Sequence, residues 1–171
     1  MKIYKLRVIA AGLFFIIVYC ISCPALAKDF PSQKLLPLDL STQAATAAIK
    51  QCNDDGYNVS VAIVDQAGLL KVQLKADGAG PHTLDSSFRK AYTANSLRGS
   101  TQKYAVMVAN NPELQSLTRM NENILLLGGG FPIKFGDEII GGVGVGGAPG
   151  AKLDETCARA ALKVLKADEV K

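Results

Sequence analysis

The sequence predicts an α+β domain in which helices pack on a single antiparallel sheet. Three observations carry that expectation. Apolar positions recur at helical spacing near both ends, at Ala45, Ala48, Ile49 and Cys52 and again at Leu153, Cys157, Ala160 and Val164. Between them Val59, Val61 and Ile63, then Leu70, Val72 and Leu74, alternate with their neighbours as strand residues do. The order is helix, two strands, helices, two or more strands, helix. A chain of 171 residues, 49% apolar and 20% charged, is one globular domain and needs no second.

Residues 1–27 read as a secretory signal peptide. Lys2, Lys5 and Arg7 precede an apolar stretch from Val8 to Ile21, and Ala25-Leu26-Ala27 has the form that a signal peptidase cleaves. The apolar run falls short of the roughly 20 residues that span a bilayer, so no stable membrane anchor is expected after cleavage. Cleavage starts the mature chain at Lys28, in the periplasm or outside the cell, and leaves Cys52 and Cys157 in a compartment that permits disulfides. A bridge between them and two buried free thiols are equally ordinary outcomes.

Residues 28–40, with Pro31 and Pro37, form an extended lead-in to a domain spanning 41–171. Ser41 is the expected N-cap of the first helix, which Asp54-Asp55-Gly56 ends. The two strands of the first hairpin turn at Asp65-Gln66-Ala67-Gly68. A loop, Asp77 to His82, opens a second helix capped by Thr83, with Leu84, Phe88, Ala91, Tyr92 and Asn95 inward and Asp85 and Arg89 paired on the outside. A short helix over Thr101 to Val108 and another from Asn111-Pro112-Glu113, with an Asn cap, carry the chain across. Ten of the 16 glycines then fall between Gly128 and Gly150, around a turn at Gly136-Asp137 and a strand from Glu138 to Gly147. The last helix spans about Ala151 to Lys166.

Nineteen basic residues against 15 acidic ones give +4, but three of the bases lie in the leader. Sixteen against 15 remain, which removes the electrostatic basis for nucleic-acid binding. One histidine, His82, excludes clustered-histidine metal sites within a chain. Gly142-Val143-Gly144-Val145-Gly146-Gly147 contains the letters of a dinucleotide fingerprint, yet its glycines lie inside an alternating strand and not in a strand-to-helix turn. Gly142, Gly144 and Gly146 instead give one strand face no side chains, where a helix, a second subunit or a flat ligand approaches closely. His82 in its Gly-Pro loop is either an exposed turn residue or a haem-iron ligand. Arg89, Lys90 and Arg98 form either a solvated charged face or a partner for an anionic ligand.

Five segments in order then resemble the GlcG/HbpS-like family. They are Val59-Ser60-Val61-Ala62-Ile63-Val64-Asp65 with Gly68, Asp77-Gly78-Ala79-Gly80-Pro81, Arg89-Lys90-Ala91-Tyr92-Thr93-Ala94, Gly128-Gly129-Gly130-Phe131-Pro132-Ile133, and Gly141 to Pro149 running into Asp154-Glu155-Thr156-Cys157-Ala158. The resemblance covers about residues 41–167. It implies a profilin-like fold, assembly into symmetric homo-oligomers that are often octamers, and haem binding in several members, with haem degradation or redox sensing in some. Other relatives lie beside glycolate or diol utilisation genes. A threonine of the Lys-Ala-(Tyr/Phe)-Thr run contacts haem in one branch, and Thr93 matches it here.

The expected function is therefore an exported, oligomeric protein that binds haem or a related tetrapyrrole. An enzyme acting on haem or a small hydroxy acid, and a structural or signalling partner without a ligand, stand as the alternatives. His82, as iron ligand, with Phe88, Arg89, Tyr92 and Thr93 is the expected haem site. A flat apolar slot, an iron ligand and cations for the propionates are what haem requires.

Overall fold

A computed structural model describes residues 32–168. Helix α1 spans Leu38–Asp54, strands β1 and β2 span Ser60–Asp65 and Leu70–Lys75, and helices α2 and α3 span His82–Leu97 and Thr101–Asn110. A 3-10 segment, Pro112–Arg119, leads to β3 at Gly130–Phe135, β4 at Glu138–Gly146 and α4 at Ala151–Leu165. The four strands form one sheet in the order β2-β1-β4-β3, every pair antiparallel. This is the α+β, profilin-like arrangement that the sequence predicts. The leader and the first part of the lead-in lie outside the described residues.

Strand alternation divides the sheet between two partners. Val59, Val61, Ile63, Val143 and Val145 enter the main core with Ala44, Ala45 and Ala48 of α1 and Ala158, Ala161 and Leu162 of α4. Ala62 and Val64 face the other way and meet Ala91 and Phe88 of α2. Cys52 and Cys157 are bridged, with their Cα atoms 5.5 Å apart, which joins the two helices on the main-core face.

The glycine track of β4 is covered by α2 of the same chain. A Cβ at Gly144 would stand 2.2 Å from the Ser87 carbonyl oxygen, and one at Gly142 would stand 2.3 Å from that of Ala91. Backbone therefore packs directly on backbone, and small residues of α2, not large ones, must face the sheet. That requirement turns the helix relative to expectation: its buried residues are Thr83, Ser87, Lys90, Ala91, Thr93, Ala94 and Asn95, so Ala91 and Asn95 face inward as expected, while Phe88 and Tyr92 are half-buried and Leu84 stays 38% exposed.

Several other local expectations are corrected. α1 starts at Leu38, within the predicted lead-in, because Pro37 begins it and the buried Ser41 hydroxyl bonds back to the Pro37 carbonyl at 2.7 Å. Thr83 lies inside α2 and caps nothing there; its hydroxyl donates to Gly80 O at 2.6 Å and accepts from Ser60, tying the loop to β1. Asn111 precedes a 3-10 segment, not an α-helix, and its amide donates to Met107 O. The inner stripe of α4 includes Asp154, Ala158, Ala161, Leu162 and Leu165 beside Cys157. Val164 packs on the core's edge as predicted, whereas Leu153 and Ala160 are only half-buried because Asp154 turns inward to Lys90.

Candidate functional site

The groove of interest forms where the β1–β2 hairpin leans on α2. Gln73 on β2 donates to Leu84 O at 2.7 Å, and Asn95 on α2 donates to Gln66 O at 3.1 Å, so polar bonds pin the hairpin at two places. Gly68 completes the joint. Its φ of +79° suits a residue without Cβ, and a Cβ there would stand 2.9 Å from the ring of Tyr92. The tyrosine ring thus seats against the turn.

The resulting cavity of about 580 Å³ is walled by Leu69, Leu70, Leu84, Phe88 and Tyr92, with Gln73, Asp85 and Asn123 at polar positions. Phe88 and Tyr92 lie one helical turn apart with ring centroids 6.2 Å apart and planes tilted by 45°. Leu69 is 66% exposed and Leu70 49% exposed, so the groove is open along its hairpin side. Among the described residues Tyr92 makes this ring contact and no hydrogen bond through its hydroxyl.

Of the five residues singled out from the sequence, the structure brings Phe88 and Tyr92 together in this groove. The other three stand elsewhere. His82 is exposed at the first turn of α2, its ring folded back over Gly80, where a Cβ would stand 2.7 Å from Cε1. Thr93 is buried, and its hydroxyl accepts from Leu125 N at 2.8 Å and donates to Asn123 O at 3.3 Å. Arg89 donates to Ile124 O at 2.9 Å and pairs with Asp85 at 3.3 Å. Thr93 and Arg89 therefore hold the Asn123–Leu125 stretch, and Asn123 reaches the groove's rim.

The expected basic face of α2 does not exist as one surface. Lys90 is buried against Asp154 at 2.7 Å, and Arg98 sits exposed at the left-handed C-cap. Burial pushes the Asp154 carboxyl above the ordinary aspartate range, and the Lys90 charge opposes that push. Sequence reasoning also missed the leucine rim. Its signal was present in the adjacent pair Leu69-Leu70, which breaks strand alternation at the turn.

The chain is similar to several known proteins over most of its length. A crystallised double mutant of HbpS from Streptomyces reticuli is 36% identical, with a TM-score of 0.75 over 95% of this chain and 98% of that one. Protein GlcG of Escherichia coli is 35% identical over 110 residues, 62% of this chain and 80% of the relative. PduOC, crystallised as a haem complex, shares the fold at 23% identity, with a TM-score of 0.74 over 81% of this chain and all of that one. The model of the haem-degrading HbpS-like proteins matches residues 36–163, and the chain belongs to that family.

Proposed function

We propose that the protein is an exported, homo-oligomeric haem-binding protein and that the groove between the β1–β2 hairpin and α2 holds the porphyrin. The observation that carries the reading is the groove itself: an apolar slot of about 580 Å³ with two aromatic walls, in a chain of a haem-degrading family. Haem in PduOC lends support from the same fold. The groove's residues fit the group. Phe88 offers a face for the macrocycle, and the leucines offer an apolar rim.

Arg89 is engaged on Ile124 O and Asp85, so the cation for the propionates comes from the open edge. Lys75 shares the strand face of Gln73 but pairs with Ser60, at the opposite end of β2 from Leu70, and the groove's own lining holds no cation. When bound, haem supplies an iron centre able to exchange electrons and bind small ligands. The protein's residues orient it and shield one side. A second copy of the chain covers the exposed leucines in the oligomer, and the Cys52–Cys157 bridge suits an oxidising compartment.

Haem titration of the purified protein tests the reading. A saturable Soret change at micromolar protein is expected, weakened by Phe88→Ala; a change that never saturates overturns it. Loss of the Soret band on adding reductant or peroxide would mark turnover beyond binding. N-terminal sequencing of cell fractions tests export: a chain beginning at Lys28 outside the cytoplasm is expected, and an intact Met1 chain in the membrane fraction overturns it.

A further inference from the structure

We propose that Tyr92, and not His82, is the protein ligand to the haem iron; this rests on the haem reading of the groove. Among the groove's side chains only Tyr92 and Asp85 carry a group that binds ferric iron strongly, and Asp85 is paired with Arg89. The Tyr92 hydroxyl has no hydrogen-bond partner among the described residues, so nothing in the chain competes for it. Its ring is held on two sides, by Gly68 of the hairpin turn and by Phe88 one turn earlier. A ligand fixed in this way loses little rotamer freedom when the iron arrives.

His82 is badly placed for the same iron. It lies ten residues before Tyr92 on one helix, about 15 Å along the axis, and its ring covers Gly80 instead of lining the groove. On ligation the phenol gives its proton to solvent and its oxygen donates a lone pair to ferric iron, with no change in oxidation state. A phenolate is a hard, anionic donor, so the site favours the oxidised group.

The test compares ferric haem with metal-free protoporphyrin IX on the purified protein and on Tyr92→Phe, which keeps the ring and removes only the unbonded hydroxyl. Wild type is expected to show a phenolate-to-iron charge-transfer band and phenolate ring modes in the resonance Raman spectrum. Tyr92→Phe should lose both and bind haem about tenfold more weakly or worse, while its affinity for protoporphyrin IX stays within about twofold. Persistence of the band in Tyr92→Phe, or its loss in His82→Ala alone, overturns the assignment while leaving the haem groove intact. If neither haem nor protoporphyrin IX saturates wild type, the haem reading itself fails and takes the ligand with it.

Discussion

Lys90 Nζ lies 2.7 Å from Asp154 Oδ2 in a pair whose side chains are 2% and 5% exposed. The ammonium also donates to Val145 O at 2.9 Å, and the other carboxylate oxygen accepts from Ala148 N at 3.0 Å. The pair thus ties α2 to the start of α4 beside the end of β4. Gly129 leaves the room for it, since a Cβ there would stand 2.8 Å from Asp154 Cβ and 3.0 Å from Lys90 Nζ.

Removing one partner should cost much more than an exposed pair is worth. Lys90→Met leaves a buried carboxylate without its cation and should destabilise the fold by about 3–5 kcal/mol at neutral pH. Without Lys90 the charge and hydrogen bond that lower the Asp154 pKa are gone, and burial, which raises it above 3.8, remains. A carboxyl whose folded-state pKa stands above its unfolded value favours the fold increasingly as pH falls. The penalty should therefore be largest at neutral pH and shrink as pH drops through the raised pKa. Urea unfolding of both proteins across that range measures it; a penalty independent of pH would contradict the pairing.

Gly144→Ala should destabilise by about 3 kcal/mol. The new Cβ would stand 2.2 Å from Ser87 O and 2.4 Å from Ala91 N, both backbone atoms of α2, so the helix must lift from the sheet. The shift of the urea midpoint gives the magnitude. A midpoint unchanged from wild type would show that α2 does not pack on the glycine track as described.

Strand periodicity made the fold class and the first hairpin legible because alternate residues of β1 and β2 are branched and apolar, as Val59, Val61 and Ile63 show. The register of the helices was not legible. Ser87 and Ala91 face the sheet because glycines oppose them, and Asp154 faces inward because Lys90 does; each is a tertiary pairing that a single helix's pattern does not contain. The site was half legible for the same reason. Phe88 and Tyr92 share a helical face and announce themselves, whereas Thr93 and Arg89 are spent on a segment some thirty residues away in sequence.

The bridge between Cys52 and Cys157 spans 105 residues of sequence. Closing a loop of that length restricts the unfolded chain and should stabilise the fold by roughly 5 kcal/mol in the chain-entropy account. Cys52→Ala with Cys157→Ala should lower the urea midpoint accordingly, and reduced wild type should match the double variant. Alkylation of both thiols in unfolded, unreduced protein would show that the bridge is absent.

Gly68 and Gly136 separate the groove from the backbone strain that accompanies it. Both occupy positive φ, +79° and +60°, so alanine at either position should cost about 1–2 kcal/mol from conformation alone. They differ in what a Cβ would meet. At Gly136 nothing lies within 4 Å, whereas at Gly68 the new atom would stand 2.9 Å from Tyr92 Cε2 and 3.1 Å from Cδ2. The tyrosine ring is the movable partner, and it can yield only by leaving its seat against the turn. Gly68→Ala should therefore lose stability like Gly136→Ala and, in addition, bind haem at least about fivefold more weakly. Paired urea unfolding and haem titrations on the two variants distinguish the effects. Equal haem affinity in both would show that the seat of Tyr92 against the hairpin has no part in holding the ligand.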